Sequence, residues 1–193
     1  MLKKSYIRNH QVFCTTCASP LGDIMLASDG ENLLGLWLEG QKYHGDSIYQ
    51  NMIYIPDSGN IKDAIQINAW SVFEATKDWL NRYFAGKQPA ITELSLAPVG
   101  SEFRQLIWEY LCQIPYGETT TYGALARQAA AELGKTSMSA QAVGGAVGHN
   151  PISIIIPCHR VVGADGSMTG YAGGGEKKIW LLEHEHAIIS PII

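Results

Sequence analysis

TYGALARQAAAELGKTSMSAQAVGGAVGHNP, residues 121–151, is the stretch on which the fold turns. Thr121 can cap an Ala-rich helix, Tyr122 to Leu133, closed by Gly134. Ser137 can cap a second helix, Met138 to Gly148, which stops at Asn150-Pro151. Two helices joined by a tight, Gly-containing turn describe a helix-turn-helix, a shape shared by many helical hairpins that never meet DNA. From Ser139 to Gly148 the second helix carries no large side chain and no charge. It cannot grip phosphates or read base edges through Arg or Lys. What its small residues permit is close approach, either to another backbone or into a DNA minor groove only ~6 Å wide.

Working outward, Ser101 caps a helix whose apolar residues Phe103, Leu106, Ile107, Tyr110, Leu111 and Ile114 recur at helical spacing, and Pro115 ends it. A closing helix spans Glu176 to His186. The first ninety-odd residues read as a small α/β unit. Val12 to Ala18, Ile24 to Ala27 and Leu33 to Leu38 are short apolar strands separated by turn signals at Ser19-Pro20-Leu21-Gly22 and Asp29-Gly30, which suggests an antiparallel sheet. After a polar stretch through Pro56-Asp57-Ser58-Gly59, Asn68 to Phe84 is an amphipathic helix. Its aromatic stripe (Trp70, Phe73, Trp79, Tyr83, Phe84) has the period of a core face, not of a base-stacking platform. Residues 87–100 make a linker. The expected fold class is α+β: a small amino-terminal antiparallel-sheet α/β domain over 1–96, then a helical carboxy-terminal domain with a helix-turn-helix over 97–193.

The 193 residues are 46% hydrophobic and 17% charged, the composition of an ordinary globular chain and not a disordered one. The longest apolar runs, such as Ile152 to Pro157, fall far short of the ~18 residues of a membrane span. The start, Met1-Leu2-Lys3-Lys4, has no apolar stretch behind its lysines, so a cytoplasmic location is expected. Net charge is -4, with 8 Lys and Arg against 10 Asp and Glu up to residue 96 and 6 against 8 beyond it. No basic field draws in nucleic acid, and DNA binding must come from shape and local contacts.

Four cysteines, Cys14, Cys17, Cys112 and Cys158, are too few and too irregular for a disulfide framework. Cys14 and Cys17 have the spacing of a zinc knuckle, but no second pair exists, and nothing in the spacing makes His10 or His44 complete a site. Gly134-Lys135-Thr136 has the tail of a phosphate-binding loop, yet the glycine required five residues earlier is Ala129. Gly163-Ala164-Asp165-Gly166 and Gly173-Gly174-Gly175 read as turns or a loop around a ligand. The chemistry concentrates at Ile154-Ile155-Ile156-Pro157-Cys158-His159-Arg160-Val161-Val162. There an apolar run delivers a cysteine beside an imidazole and a guanidinium, and a thiolate stabilised by positive charge is what a cysteine nucleophile requires. Glu185 is a candidate to orient His159, although a solvated helix carboxylate is the plainer reading of that residue.

Pro157-Cys158-His159-Arg160-Val161 resembles the active-site signature of the O6-alkylguanine-DNA alkyltransferases. The resemblance extends, in order, through Ile114-Pro115-Tyr116-Gly117-Glu118-Thr119 and Tyr122, Ala142-Val143-Gly144-Gly145-Ala146, Asn150-Pro151, Gly170-Tyr171-Ala172-Gly173-Gly174 and Trp180-Leu181-Leu182-Glu183-His184-Glu185. In the first part it is confined to Ser19-Pro20-Leu21-Gly22 and overall size, where the family has a ribonuclease H-like domain. It implies a single-turnover repair protein that binds double-stranded DNA through the minor groove, rotates an alkylated guanine out of the stack and takes the alkyl group irreversibly onto a cysteine. By this resemblance Cys158 is the nucleophile, His159 its base through a water, Glu185 the group holding the imidazole, and Tyr122 the phenol that supplies a proton or hydrogen bond to the base. Gln141, Ala140, Ala142, Gly144 and Arg160 are expected at DNA, and Asn150, Val161, Tyr171, Ala172 and Gly173 around the pocket. No cofactor, no metal and a monomer are expected.

The chain also departs from the family pattern. Gln141 stands where members often carry an arginine that enters the space left by the flipped base, Ala172 replaces a serine of some members, and the turn through Ala129 to Met138 is longer. Two other classes compete: a non-catalytic binder of alkylated DNA, against which Cys158 argues, and a thiol hydrolase, for which no second motif supplies an oxyanion hole.

Overall fold

Val12–Cys17, Ile24–Ser28 and Leu33–Leu38 form strands β1, β2 and β3, each within a residue of its sequence expectation. The computed structural model describes residues 2–3, 11–46, 48, 52–56, 61, 63–168 and 170–187; His10 and the turn at Asp57–Gly59 lie outside them. The β1–β2 hairpin closes where expected, as Ser19 Oγ donates to the Gly22 carbonyl at 2.7 Å and accepts from Leu21 N. Asp29 turns the chain between β2 and β3 by accepting from the amides of Glu31 and Asn32. β1 and β3 flank β2 antiparallel to it. A fourth strand, β4 (Met52–Tyr54), is absent from the sequence reading and pairs parallel with β1, giving the order β3-β2-β1-β4.

Every residue of β3 is buried, which is how a strand covered on both faces reads. Val12, Cys14, Ala27, Leu34, Trp37, Ile48 and Ala97 form one buried cluster. Since successive residues of a strand point to opposite faces, Phe13 and Thr15 belong to the other, where helix α1 (Ala64–Phe84) packs on the sheet. The aromatic stripe is core as expected: Phe73, Trp79 and Tyr83 are buried, and Trp79 stacks on Tyr83. α1 begins four residues before Asn68 because Asp63 caps it, accepting from Gln66 N at 2.9 Å. Its first turns carry Ile65 and Ile67 out to solvent, which hides the helical period there. Cys14 and Cys17, three apart on a strand, point to opposite faces and are not a pair. Among the described residues no cluster of His, Cys, Asp or Glu could hold a metal ion, and no helix is long and apolar enough to cross a membrane.

The chain divides into two compact units. One runs to Gly100 and takes back Pro151–Ser153; the other comprises Ser101–Asn150 and the chain from Ile154. In the first, Pro151–Ser153 lies along β3, with Leu36 N donating to the Pro151 carbonyl and Ser153 N to that of Leu36. The second holds helices α2 (Glu102–Leu111), α3 (Tyr122–Glu132), α4 (Ala140–Gly148) and α5 (Gly175–His184), with a short parallel pair, β5 (Thr120–Thr121) and β6 (Val161–Val162). Ser101 and Thr121 cap α2 and α3 as the sequence indicates. The cap of α4 is Ser139, not Ser137, so that helix starts two residues later and the α3–α4 turn is longer still. The fully buried Trp108 of α2 donates through Nε1 to the Ala146 carbonyl at 2.9 Å, and α4 packs on both α2 and α3.

Candidate active site

Ile154 opens the decisive segment with a φ of 68°, a strained conformation for a β-branched residue. Pro157 follows at φ -82°, ψ 63°, and Cys158 N bonds back to the Ile156 carbonyl at 2.8 Å: an inverse γ-turn pinned by proline. One turn of 3-10 helix then carries Cys158, His159 and Arg160, all buried. Asn150, just after α4, reaches into this turn. Its Nδ2 donates to the Ile156 carbonyl at 2.8 Å and to Cys158 Sγ at 3.0 Å, so one amide fixes both the approach and the sulfur.

Glu185 lies just past α5 and is buried, contrary to its plainer reading as a solvated carboxylate. His159 Nε2 is 2.9 Å from Oε1, while Arg160 gives Nε to Oε2 at 2.8 Å and Nη2 to Oε1 at 2.9 Å. Burial resists ionisation of this carboxyl. The hydrogen bonds from His159 and Arg160 outweigh it and hold Glu185 far below the usual carboxylate range. An ionised carboxylate only accepts, so His159 Nε2 carries the proton and Nδ1 the lone pair. Nδ1 is buried and has no hydrogen-bond partner among the described residues. Burial pulls the imidazole below its ordinary 6.5, Glu185 opposes this, and the cations Arg160 and Lys178 add to it. A neutral imidazole with a free basic nitrogen, next in the chain to a cysteine, is equipped to take a proton.

The motif Ile114-Pro115-Tyr116-Gly117 is part of the same network. Arg160 Nη1 donates to the Ile114 carbonyl at 2.6 Å, and Gly117 N donates to Glu185 Oε2 at 3.4 Å. Gly117 has a φ of 75°, and a Cβ there would stand 3.0 Å from the Glu185 carbonyl, so glycine is required twice over. The expectation that Arg160 meets DNA is therefore corrected: its guanidinium is buried and held by Glu185 and Ile114.

Tyr122 opens α3 beside α4 and the loop before α5. A Cβ at Gly144 would touch its ring at 3.8 Å, and one at Gly170 would press on its hydroxyl at 2.7 Å. Burial, with Cys158 nearby, pushes the phenol up to about 12, so it stays a proton donor at neutral pH. Gly144, expected at DNA, is half-buried beside the Tyr122 ring, and the open position next to it is Gly145. Ala140, Gln141 and Ala142 are exposed on α4, in keeping with their expected place. Val161 and Tyr171 are buried, and Ala172 and Gly173 half-buried.

Lys178 escaped the sequence reading. It is completely buried in α5, donates through Nζ to the Val161 carbonyl at 2.6 Å and stands 6.0 Å from the centre of the Tyr122 ring. Burial pulls it down to about 8, against the pull of Cys158. The available signal was helical phase: Lys178, Leu181, Leu182 and Glu185 recur at three-four spacing, placing both charged groups on the apolar face.

Comparison with known proteins identifies the family. Residues 102–187 match the 6-O-methylguanine DNA methyltransferase DNA-binding domain, and residues 12–98 match the ribonuclease-like domain of the same enzymes. The methylated-DNA–protein-cysteine methyltransferase of Mycobacterium bovis is 42% identical over 88% of this chain and 90% of its own length. That of Haemophilus influenzae is 36% identical over 90% and 86%. Mycobacterium tuberculosis OGT, solved in complex with DNA, superposes with a TM-score of 0.72 at 38% identity, over 93% of this chain and 96% of its own. With both domains matched in order and relatives of this identity covering most of its length, the chain belongs to the 6-O-methylguanine DNA methyltransferase family.

Proposed function

We propose that this chain repairs DNA by direct reversal, moving the alkyl group of O6-alkylguanine irreversibly to Cys158. Cys158 Sγ attacks the alkyl carbon, so that the S–C bond forms as the C–O6 bond breaks. The thiol proton passes to His159 Nδ1 through a water, and Glu185 holds the imidazole with that nitrogen bare. Tyr122 gives a proton or hydrogen bond to the departing guanine, which therefore leaves as a neutral base. The net change is thiol plus alkyl ether to thioether plus guanine. The thioether is stable and each molecule acts once, without a cofactor.

Asn150 steadies the sulfur from one side; Val161, Tyr171, Ala172 and Gly173 line the pocket for the flipped base. α3 and α4 act as a helix-turn-helix that enters the minor groove through Ala140, Gln141 and Ala142. The protein works as a cytoplasmic monomer on double-stranded DNA. The observation that carries this reading is the bare, buried Nδ1 of a histidine locked to Glu185 in the turn that holds Cys158. Incubation with duplex DNA bearing O6-methylguanine, followed by intact-mass and peptide mass spectrometry, tests it. One added methyl on the Cys158 peptide is expected; methyl groups on several cysteines, or catalytic turnover with excess DNA, would overturn the one-use mechanism.

A further inference from the structure

A helix that meets a polyanion without any charge of its own leaves the source of phosphate contacts unassigned. Residues 101–193 contain six Lys and Arg. Arg160 and Lys178 are buried in the active site, and Arg104 and Lys177 are half-buried on α2 and α5. Arg127 and Lys135 are exposed, and both belong to the α3–α4 pair. Neither makes an ion pair or side-chain hydrogen bond among the described residues, whereas the nearby carboxylate Glu132 accepts from Tyr110 Oη.

Their placement is defined. Arg127 folds back along α3, with Nη1 3.8 Å from where a Cβ of Gly123 would stand, so its charge lies over the first turn of the helix. Lys135 sits beyond the other end, where Gly134 (φ 62°) reverses the chain and Lys135 N closes onto the Ala130 carbonyl at 2.8 Å. The 11 residues of α3 span ~16 Å at 1.5 Å each. The two cations are therefore too far apart to share one phosphate. α4 packs against α3, and its exposed residues (Ala140, Gln141, Ala142, Gly145) offer shape without charge. Gly134-Lys135-Thr136, which fails as a nucleotide loop, gains a use on this arrangement.

We propose that Arg127 and Lys135 are the phosphate-binding residues of this chain, clamping the DNA backbone at the two ends of α3 while α4 lies uncharged in the groove. This inference rests on the repair reading and adds to it the residues that supply electrostatic grip. Phosphate neutralisation releases counterions, so each contact contributes about 0.9 to the slope of log affinity against log salt.

The test is titration of an unmodified fluorescent duplex with the full-length protein at several salt concentrations between roughly 50 and 200 mM. Arg127→Gln and Lys135→Gln should each lower the slope by about one unit, the double variant by about two, and Arg127→Lys should restore it. Lys87→Gln, which removes an exposed charge from the first unit, is the control for net charge and should leave the slope unchanged. An unaltered slope in the double variant, or an equal change in Lys87→Gln, would overturn the proposal while leaving repair intact. Failure of the unaltered protein to bind duplex at all would overturn the repair reading, and this inference with it.

Discussion

Helix α4 and the turn that holds Cys158 are near neighbours in the chain built on opposite electrostatic plans. The turn gathers His159, Arg160, Glu185 and Lys178 out of water and pairs them with one another and with the carbonyls of Ile114 and Val161, leaving only His159 Nδ1 bare among the described residues. The outer face of α4 exposes only Ala140, Gln141, Ala142 and Gly145. Buried charges are costly to leave unpaired, so the turn is intolerant of change, whereas an uncharged exposed helix can exchange residues at little cost to the fold. The chemistry of the molecule should therefore break abruptly and its DNA affinity should be tunable in small steps.

The largest effect is expected from Glu185→Gln. The amide keeps the size but removes the charge that balances Arg160, and stranding a buried charge costs about 3–5 kcal/mol. Urea denaturation should register that loss. Methyl transfer should slow, and the pH profile of iodoacetamide labelling at Cys158 should move to higher pH, because the imidazole loses the carboxylate that fixes it. An unchanged labelling profile would remove Glu185 from the mechanism. Next comes Asn150→Ala, which deprives the Ile156 carbonyl and Cys158 Sγ of their shared donor at a cost of about 1–3 kcal/mol. Its signature is a slower transfer with duplex affinity retained; weakened binding at an unchanged transfer rate would contradict the place assigned to Asn150.

Acidification separates the two groups further. His159 has a folded value below its ordinary 6.5, so the unfolded chain takes up the proton first as pH falls. The stability that this group contributes is fully present above 6.5 and is lost as pH drops through the depressed folded value. Glu185, also depressed, adds its own loss only below its ordinary 4.5, so the interval from 6.5 to 4.5 isolates the histidine. Stability should fall there by at most about 1.4 kcal/mol per pH unit, and the fall should shrink in His159→Gln. Were His159 instead the protonated partner of a Cys158 thiolate, the sign would reverse and acid would stabilise. Denaturation midpoints at a series of pH values decide between the two.

The contrast also explains what could be read from the chain alone. β3 is a continuous apolar run bounded by turn residues, and its limits were legible to the residue. β4 was not, because three residues paired parallel to β1 have no hairpin signal to announce them. The sequence places the cap of α4 at Ser137, whereas in the structure Ser139 takes it by accepting from Gln141 N, and helical spacing alone does not fix a boundary to within two residues. Within the site, Cys158 and His159 stood out through neighbouring chemistry. Arg160 was assigned to DNA because adjacency in sequence does not say which side chain turns inward, and Lys178 was passed over because a helix of mixed charge conceals one buried lysine. Burial of charge depends on partners far along the chain, Glu185 for Arg160 and Val161 for Lys178, and spacing does not reveal them.

The smallest effect concerns Gln141. It is exposed on α4, next to the capping Ser139 that holds its backbone amide, so a longer side chain fits without disturbing the fold. Glutamine can fill the gap left by a rotated base and hydrogen-bond to the orphaned partner; arginine would do both and add a charge within the phosphate field. Gln141→Arg should therefore tighten duplex binding and, through one new phosphate contact, steepen the log-log salt slope by about one unit. Transfer at saturating DNA should change less than affinity, since in the proposed role Gln141 meets the vacated stack and not the reacting oxygen. The gain should appear at low salt and fade as salt screens the added contact. Titrations of both proteins across the salt series measure it directly. No gain at low salt would mean that Gln141 faces away from DNA, and α4 would then be a packing helix whose small residues serve Trp108 and Tyr122 and no groove.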